Sequence, residues 1–308
     1  MRALPLLSQT IPLVITLHDA WLLSGHCAHS LGCERWKTGC GHCPDLALPP
    51  GIRRDSTAYN WKRKRNIYQG SRLHIITPSQ WLMDKVQQSI LTAGIISAKV
   101  IPNGVDLSIF HKSYPDKASL GLPYDENILL FSADGIRKNV YKDYQTLKLA
   151  IQKLADKNRK ITFVALGEAG SDEYVGNAKI NFLSYKKDPE KVAQYYQAAD
   201  IYIHASKADT FPTSVIEALA CGTPVVATSV GGIPEQIIDG KTGFLTPEGD
   251  PHGMSEKLEQ LLDDKELRKR MGQAAEQDAR ERFDLNDQVD EYLSWYQEIL
   301  EESKPDRV

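Results

Sequence analysis

Asp209 and Glu217 are the residues whose placement says most about chemistry, within Ser206-Lys-Ala-Asp-Thr-Phe-Pro-Thr-Ser-Val-Ile-Glu-Ala-Leu-Ala-Cys-Gly-Thr-Pro-Val-Val226. Pro212 suits the first turn of a helix. The N–H groups at Thr213, Ser214 and Val215 would then lack intrahelical partners and face the preceding loop, where they can donate to phosphate oxygens. Glu217 lies one helical turn beyond Thr213 and shares its face. A carboxylate there can accept hydrogen bonds from two adjacent ribose hydroxyls, while Asp209 accepts one from a sugar hydroxyl. A diol, a diphosphate and a polyol in a row describe a nucleotide sugar. The competing reading makes Asp209 a loop residue and Glu217 a solvated one. Glu217 sits in the small, apolar run Val-Ile-Glu-Ala-Leu-Ala, however, where a lone carboxylate is costly unless paired or bound.

A departing diphosphate needs its charge stabilised. Arg137, Lys138 and Lys142 follow Ala133-Asp134-Gly135, and no Asp-x-Asp metal motif appears. Arg137 and Lys142 are the favoured cations, with Lys138 competing and a solvated charge cluster as the alternative. His18 closes the apolar run Leu13-Val-Ile-Thr-Leu17, as a cleft residue or a structural histidine. Cys27, Cys33, Cys40 and Cys43 lie close together with His26, His29 and His42 among them. Four thiolates can hold a structural zinc, and the Cys40-x2-Cys43 pair has suitable spacing, but the wider spacings fit no common zinc pattern and reduced cysteines also simply pack. Lys62-Arg-Lys-Arg65 could touch anionic lipid or form a solvated face.

The elements that must position these residues alternate regularly. Apolar runs at Leu73–Thr77, Ile128–Phe131, Ile161–Leu166, Ile201–His204 and Pro224–Ala227 read as buried parallel strands. Helical patterns lie at Gln80–Leu91, Tyr141–Ala155, Val192–Ala199, Thr213–Ala220 and Glu256–Arg282. This rhythm predicts an α/β fold whose ligands sit at the carboxyl ends of parallel strands. Val100-Ile-Pro-Asn-Gly-Val-Asp106 reads as a crossing between domains, since Pro102 holds Ile101 extended and Asn103-Gly104 turns the chain. In a final helix from Gln288 to Glu302, Val289, Leu293, Tyr296 and Leu300 recur at helical spacing, Trp295 adds to the surface, and the set is expected to pack. The 308 residues suffice for two domains, and a net charge of -3 gives no general attraction to nucleic acid or anionic lipid. No apolar run is long enough for a membrane helix.

Asp209, then Glu217-Ala-Leu-Ala-Cys-Gly-Thr-Pro-Val225, with Val230-Gly-Gly-Ile-Pro-Glu235 and Asp239-Gly-Lys-Thr-Gly-Phe-Leu245 following, resembles the signature of the retaining GT-B glycosyltransferases of family four. Thr77-Pro-Ser, Ile101-Pro-Asn-Gly-Val-Asp106, Phe110 and His18-Asp-Ala-Trp21 are also similar. The resemblance implies two Rossmann-like domains with parallel sheets: a partial acceptor-side domain over 1–104 carrying a Cys-rich insertion at 26–43, a donor-binding domain over 105–283, and a helix over 284–308 returning toward the first. His18 falls early for this family, so the first domain is expected to be incomplete and this chain weak or inactive in transfer. The implied roles are Glu217 on the ribose, Asp209 on the transferred sugar, Arg137 and Lys142 on the diphosphate, and His18 near the donor sugar. Thr213, Ser214, Val215, Phe211 and Lys138 complete the donor-binding set. The family usually has Glu where Asp209 stands, and often Gly-Phe-Gly where Thr210-Phe211-Pro212 stands.

The implied reaction is transfer of a glycosyl residue from a nucleoside diphosphate sugar to a saccharide or lipid-linked saccharide, with retained configuration and no catalytic cofactor. The insertion resembles one in transferases that build bacterial surface polysaccharides. The expected setting is cytoplasmic, with peripheral contact at the inner face of the membrane through Lys62-Arg-Lys-Arg65 as a further expectation. A noncatalytic binding or assembly subunit, or a related GT-B epimerase or phosphorylase, is the alternative.

Overall fold

The computed structural model describes residues 1–155, 157 and 159–303. The chain forms two units, one of Met1–Asn103 with the stretch from Asp287 onward, the other of Gly104–Asn286.

In the first unit, α1 (Leu4–Leu7), β1 (Leu13–Thr16), α2 (Arg35–Thr38), α3 (Thr57–Gln69), β2 (Leu73–Thr77), α4 (Gln80–Gln87) and β3 (Ile95–Val100) follow in order. β2, buried throughout, pairs parallel with β1 on one side and β3 on the other. Ser79 caps α4, its hydroxyl accepting from the Leu82 N–H at 3.3 Å. The helix expected over Gln80–Leu91 stops at Gln87, and a 3₁₀ turn at Ile90–Gly94 leads into β3. On α3, Trp61, Lys64 and Tyr68 are buried while Lys62, Arg63 and Arg65 are exposed. The basic run is thus exposed at three positions, with one lysine turned inward.

The terminal helix, Leu285–Glu302, packs differently from its expected stripe. Val289, Leu293, Tyr296 and Leu300 are exposed, whereas Trp295 and Ile299 are buried in a cluster with Ile76 and Ile101. Both sets recur at helical spacing. The larger Trp295, edge-on to His74 at 6.0 Å, fixes which face turns inward.

In the second unit, β4 (Asn127–Ser132), α5 (Tyr144–Ala155), β5 (Ile161–Leu166), β6 (Glu173–Val175), β7 (Ala178–Leu183), α6 (Pro189–Ala198), β8 (Ile201–His204), α7 (Thr213–Ala220), β9 (Val225–Thr228), α8 (Ile233–Gln236), β10 (Gly243–Thr246), α9 (Pro251–Asp263) and α10 (Lys265–Arg282) follow. Among the described residues the sheet runs β10-β9-β8-β4-β5-β7-β6, parallel except where β6 meets β7. Alternate residues of each strand feed opposite faces. Leu130, Val164, Tyr202 and Val225 join a core with Val215 and Leu219 of α7, while Leu129, Phe163, Ile203 and Val226 join one with Ile151 of α5 and Leu258 of α9. Both faces are covered, which is why the strands read as continuous apolar runs.

Several helix boundaries depart from the sequence expectation. The long pattern Glu256–Arg282 divides at Asp264, whose carboxylate accepts from the Leu267 N–H at 2.8 Å and starts α10. The pattern from Tyr141 becomes helix only at Tyr144, because Asp143 takes the Thr146 N–H at 3.2 Å and Lys142 makes a bridge to Ser206.

Candidate functional site

The carboxyl ends of β4 and β5 and the start of α7 open into a cleft of about 520 Å³, lined among others by Ser132, Lys142, Tyr196, Thr213, Ser214 and Glu217. That volume suits a small organic ligand. The loop before α5 is stitched to the loop after β8: the Asp143 N–H donates to Ala205 at 3.1 Å and the Lys207 N–H to Tyr141 at 2.8 Å. These bonds bring Lys142 to Asp209.

Lys142 Nζ lies 2.7 Å from Asp209 Oδ2 and donates to Ser206 Oγ at 3.2 Å. His204, closing β8, is 3% exposed and places Nε2 3.2 Å from both Lys142 Nζ and Asp209 Oδ2, while its Nδ1 is 3.2 Å from the Tyr202 hydroxyl. Burial, reinforced by the Lys142 ammonium, pushes His204 down to about 4, so it is neutral at neutral pH. Burial opposes ionisation of Asp209 as well, but Lys142 and His204 outweigh it and hold the carboxyl well below the usual range. The result is a compact ion pair.

The backbone under Asp209 is set by glycine. Gly231 has φ +60°, and a Cβ there would lie 1.7 Å from the Asp209 carbonyl oxygen, which accepts from the Gly232 N–H at 3.2 Å. No side chain fits at this approach.

Glu217 is half-buried in the same cleft, with its carboxylate hydrogen-bonded by the side chains of Tyr196 and Thr213. Burial raises its pKa, and these two hydrogen bonds only partly offset the shift. Tyr196 is fixed from below by Ser132, the two hydroxyl oxygens 2.9 Å apart. The start of α7 therefore carries Thr213 and Ser214 at the cleft lining beside a desolvated acid. Val215 differs from the expectation. Its N–H already donates to the Pro212 carbonyl at 3.2 Å and its side chain is fully buried in the core, because Pro212 closes a tight turn at the helix start.

Arg137, Lys138 and Asp209 are not among the residues lining the cleft; Asp209 is joined to it through Lys142. The Arg137 backbone N–H and Nε donate to Glu168 at 2.9 and 2.6 Å, and its guanidinium lies 4.2 Å from the Phe182 ring centre. Lys138 also bears electrostatically on Glu168. Phe211 is buried edge-on to Phe283 at 5.8 Å and supports the loop from within the core. His18 is exposed just beyond β1 in the first unit. Sequence reasoning passed over His204, Tyr196 and the cleft-lining Lys186 and Lys187. His204 did carry a signal, a polar residue ending an otherwise apolar parallel strand.

In the first unit, Cys27, Cys33, Cys40 and Cys43 are half-buried free thiols. Burial, more than the neighbouring thiols, pushes Cys40 up to about 11. Among the described residues no three His, Cys, Asp or Glu side chains are arranged as they stand to hold a metal ion. No helix among these residues is long and apolar enough to cross a membrane.

Residues 114–278 match the family model described as glycosyl transferases group 1. The chain belongs to that family. Among curated relatives, N-acetyl-alpha-D-glucosaminyl L-malate synthase of Bacillus anthracis is 35% identical over 119 residues, covering 39% of this chain and 31% of its own. The putative colanic acid biosynthesis glycosyl transferase WcaC of Escherichia coli is 29% identical over 224 residues, covering 71% of this chain and 52% of its own. The chain thus spans about a third to a half of the length of these two relatives.

Among solved structures, sucrose-phosphate synthase from Thermosynechococcus elongatus superposes with a TM-score of 0.75 at 21% identity, covering 97% of this chain and 71% of that one. Anabaena HepE in complex with UDP-glucose gives 0.65 at 22% identity, covering 92% and 72%. These likenesses carry the fold, which is GT-B, with a Rossmann-like sheet in each unit.

Proposed function

We propose that the cleft of the second unit binds a nucleoside diphosphate sugar, and that the protein transfers the sugar to a saccharide or lipid-linked saccharide acceptor with retention of configuration. The observation that carries this reading is Glu217. It is a carboxylate desolvated in a cleft beside the first turn of α7, with the hydroxyl groups of Tyr196 and Thr213 around it. Such a group gains most from a ligand that presents paired hydroxyls. The ribose diol fills that role, and the diphosphate then lies at the Thr213 and Ser214 amides within reach of Lys142. Lys142 and His204 both meet Asp209 through Oδ2, which leaves Oδ1 to accept from a hydroxyl of the transferred sugar.

Retention follows if the acceptor hydroxyl attacks from the face the diphosphate leaves and passes its proton to the departing oxygen. The chain's own part is then orientation and charge stabilisation by Lys142 and the helix amides. Lys142 lines the cleft while Arg137, turned to Glu168, does not, so Lys142 is the principal cation. Lys186 and Lys187 are further candidates because they line the cleft. The likeness to the colanic acid relative favours a bacterial surface polysaccharide as product. The exposed Lys62, Arg63 and Arg65 suit anionic headgroups around a lipid-linked acceptor at the inner membrane face.

Calorimetric titration with a panel of UDP- and GDP-sugars tests the reading. At least one donor is expected to bind, and Glu217→Gln is expected to weaken it while the fold survives. Equal binding by the variant, or no binding by any nucleotide sugar, would contradict it.

A further inference from the structure

The strongest feature outside the donor cleft is the segment that follows β1. Four thiols spaced across Cys27, Cys33, Cys40 and Cys43 all line one small void of about 20 Å³ in the first unit, together with His26. A space of that size holds a single atom or water molecule. The backbone around it is bent for close approach. Leu31 and Gly32 before Cys33, and Gly39, Gly41 and His42 around Cys40 and Cys43, all have positive φ.

Polar groups already lie against two of the sulfurs. The Gly25 N–H lies 3.2 Å from Cys40 Sγ, and His26 Nε2 lies 3.2 Å from Cys43 Sγ. His26 is 3% exposed, and its other ring nitrogen is buried without a hydrogen-bond partner. A buried imidazole held against a sulfur is the arrangement that supports a metal thiolate from its outer shell. Lys64 adds charge of the right sign. It is buried, donates to the Ser24 carbonyl at 2.9 Å, and its electrostatic neighbours include Cys40 and Cys27.

We propose that Cys27, Cys33, Cys40 and Cys43 together bind one zinc ion as a structural tetrathiolate. Bonding takes side-chain rotation that draws the sulfurs to about 2.3 Å from a common centre. Each thiol gives up its proton to solvent as its sulfur–metal bond forms, so four protons leave for each dication bound. The site then carries a net charge of minus two, partly balanced by Lys64. Its effect is to clamp the loops of residues 27–43, which among the described residues contain only the four-residue helix α2 as regular structure. The proposal does not depend on the donor reading, because it concerns the other unit.

The test uses the full chain purified under reducing conditions. Metal analysis is expected to find one equivalent of zinc, and thiol titration to find the four cysteines protected until a chelator or denaturant is added. After exchange, cobalt is expected to show the sulfur-to-metal charge-transfer and strong visible bands of tetrahedral thiolate coordination. Cys40→Ser should lose the intact cobalt spectrum, while Cys221→Ser, in the second unit, should keep it. Four freely reactive thiols without metal, disulfides among them in the reduced preparation, or a weak octahedral cobalt spectrum would each overturn the proposal. Cobalt spectroscopy of the unaltered chain keeps the test decisive even if a cysteine variant fails to fold. Nucleotide-sugar titration of the same sample separates failure here from failure of the donor reading.

Discussion

Asp209 and Glu217 come from one loop-to-helix transition yet live in opposite electrostatic settings. Asp209 is gripped by Lys142 and His204 and held ionised; Glu217 is met by hydroxyls and pushed toward its neutral form. Proximity in sequence therefore says little about charge state. What separates them is which elements reach each one: β8 and the loop before α5 deliver imidazole and cationic groups to Asp209, while α6 and the start of α7 deliver only the hydroxyls of Tyr196 and Thr213 to Glu217. The first arrangement stabilises the empty protein. The second is completed by a ligand.

The sharpest way to break this contrast is Lys142→Ala. It strands a mostly buried Asp209, and removing one partner of such a pair costs about 3 kcal/mol of stability. Transfer should fall about 10²- to 10³-fold, measurable by denaturant unfolding and by donor turnover. Lys142→Ala/Asp209→Asn should recover stability without recovering transfer; if both return, the lysine is structural only. Gly231→Ala should come next, with a loss of about 2 kcal/mol from left-handed backbone strain alone and further displacement of Asp209. A variant with unchanged stability and donor affinity would show that the Gly231–Asp209 approach is not needed.

Glu217→Gln should weaken donor binding about 10- to 100-fold, the range for a hydrogen bond to a charged group, while resistance to unfolding at neutral pH rises because the desolvated charge is gone. Its pH signature has the opposite sign to that of Asp209. The folded pKa of Glu217 is raised above its ordinary 4.5. Its contribution to stability is therefore fullest below 4.5 and is lost as pH rises toward the folded value. Asp209, held below its ordinary 3.8, stabilises above that value, and its contribution is lost as pH falls toward the folded pKa. Unfolding curves of Glu217→Gln and Asp209→Asn against pH should thus diverge in opposite directions from the parent, and parallel curves would remove the contrast. Arg137→Ala should have the smallest effect, about 1 kcal/mol or less on stability, with transfer well above that of Lys142→Ala.

Much of this was legible in the residues. β8 and α7 begin and end where the apolar runs and Pro212 place them, and the three groups Asp209, Thr213 and Glu217 are local enough to be read along one stretch. What escaped was non-local or ambiguous. The Arg137–Glu168 contact joins two loops through the β4–β5 pairing, and no pattern around either residue announces it. β3 was missed because Ser97 and Lys99 alternate with its apolar residues as on a partly exposed strand. The terminal helix offered two apolar stripes, and periodicity alone could not choose the one holding Trp295 and Ile299 over the one holding Val289 and Leu293. His204 was visible as a strand ending, but its weight comes from Lys142, which a different loop supplies.

The most direct test is calorimetric titration of the parent chain and Glu217→Gln with the nucleoside diphosphate alone and with the matching nucleoside monophosphate. If Glu217 holds the ribose and Lys142 with the α7 amides holds the phosphates, Glu217→Gln should lose affinity for both ligands by the same factor. Lys142→Ala should lose more for the diphosphate. Undiminished affinity of Glu217→Gln for both nucleotides would contradict the account.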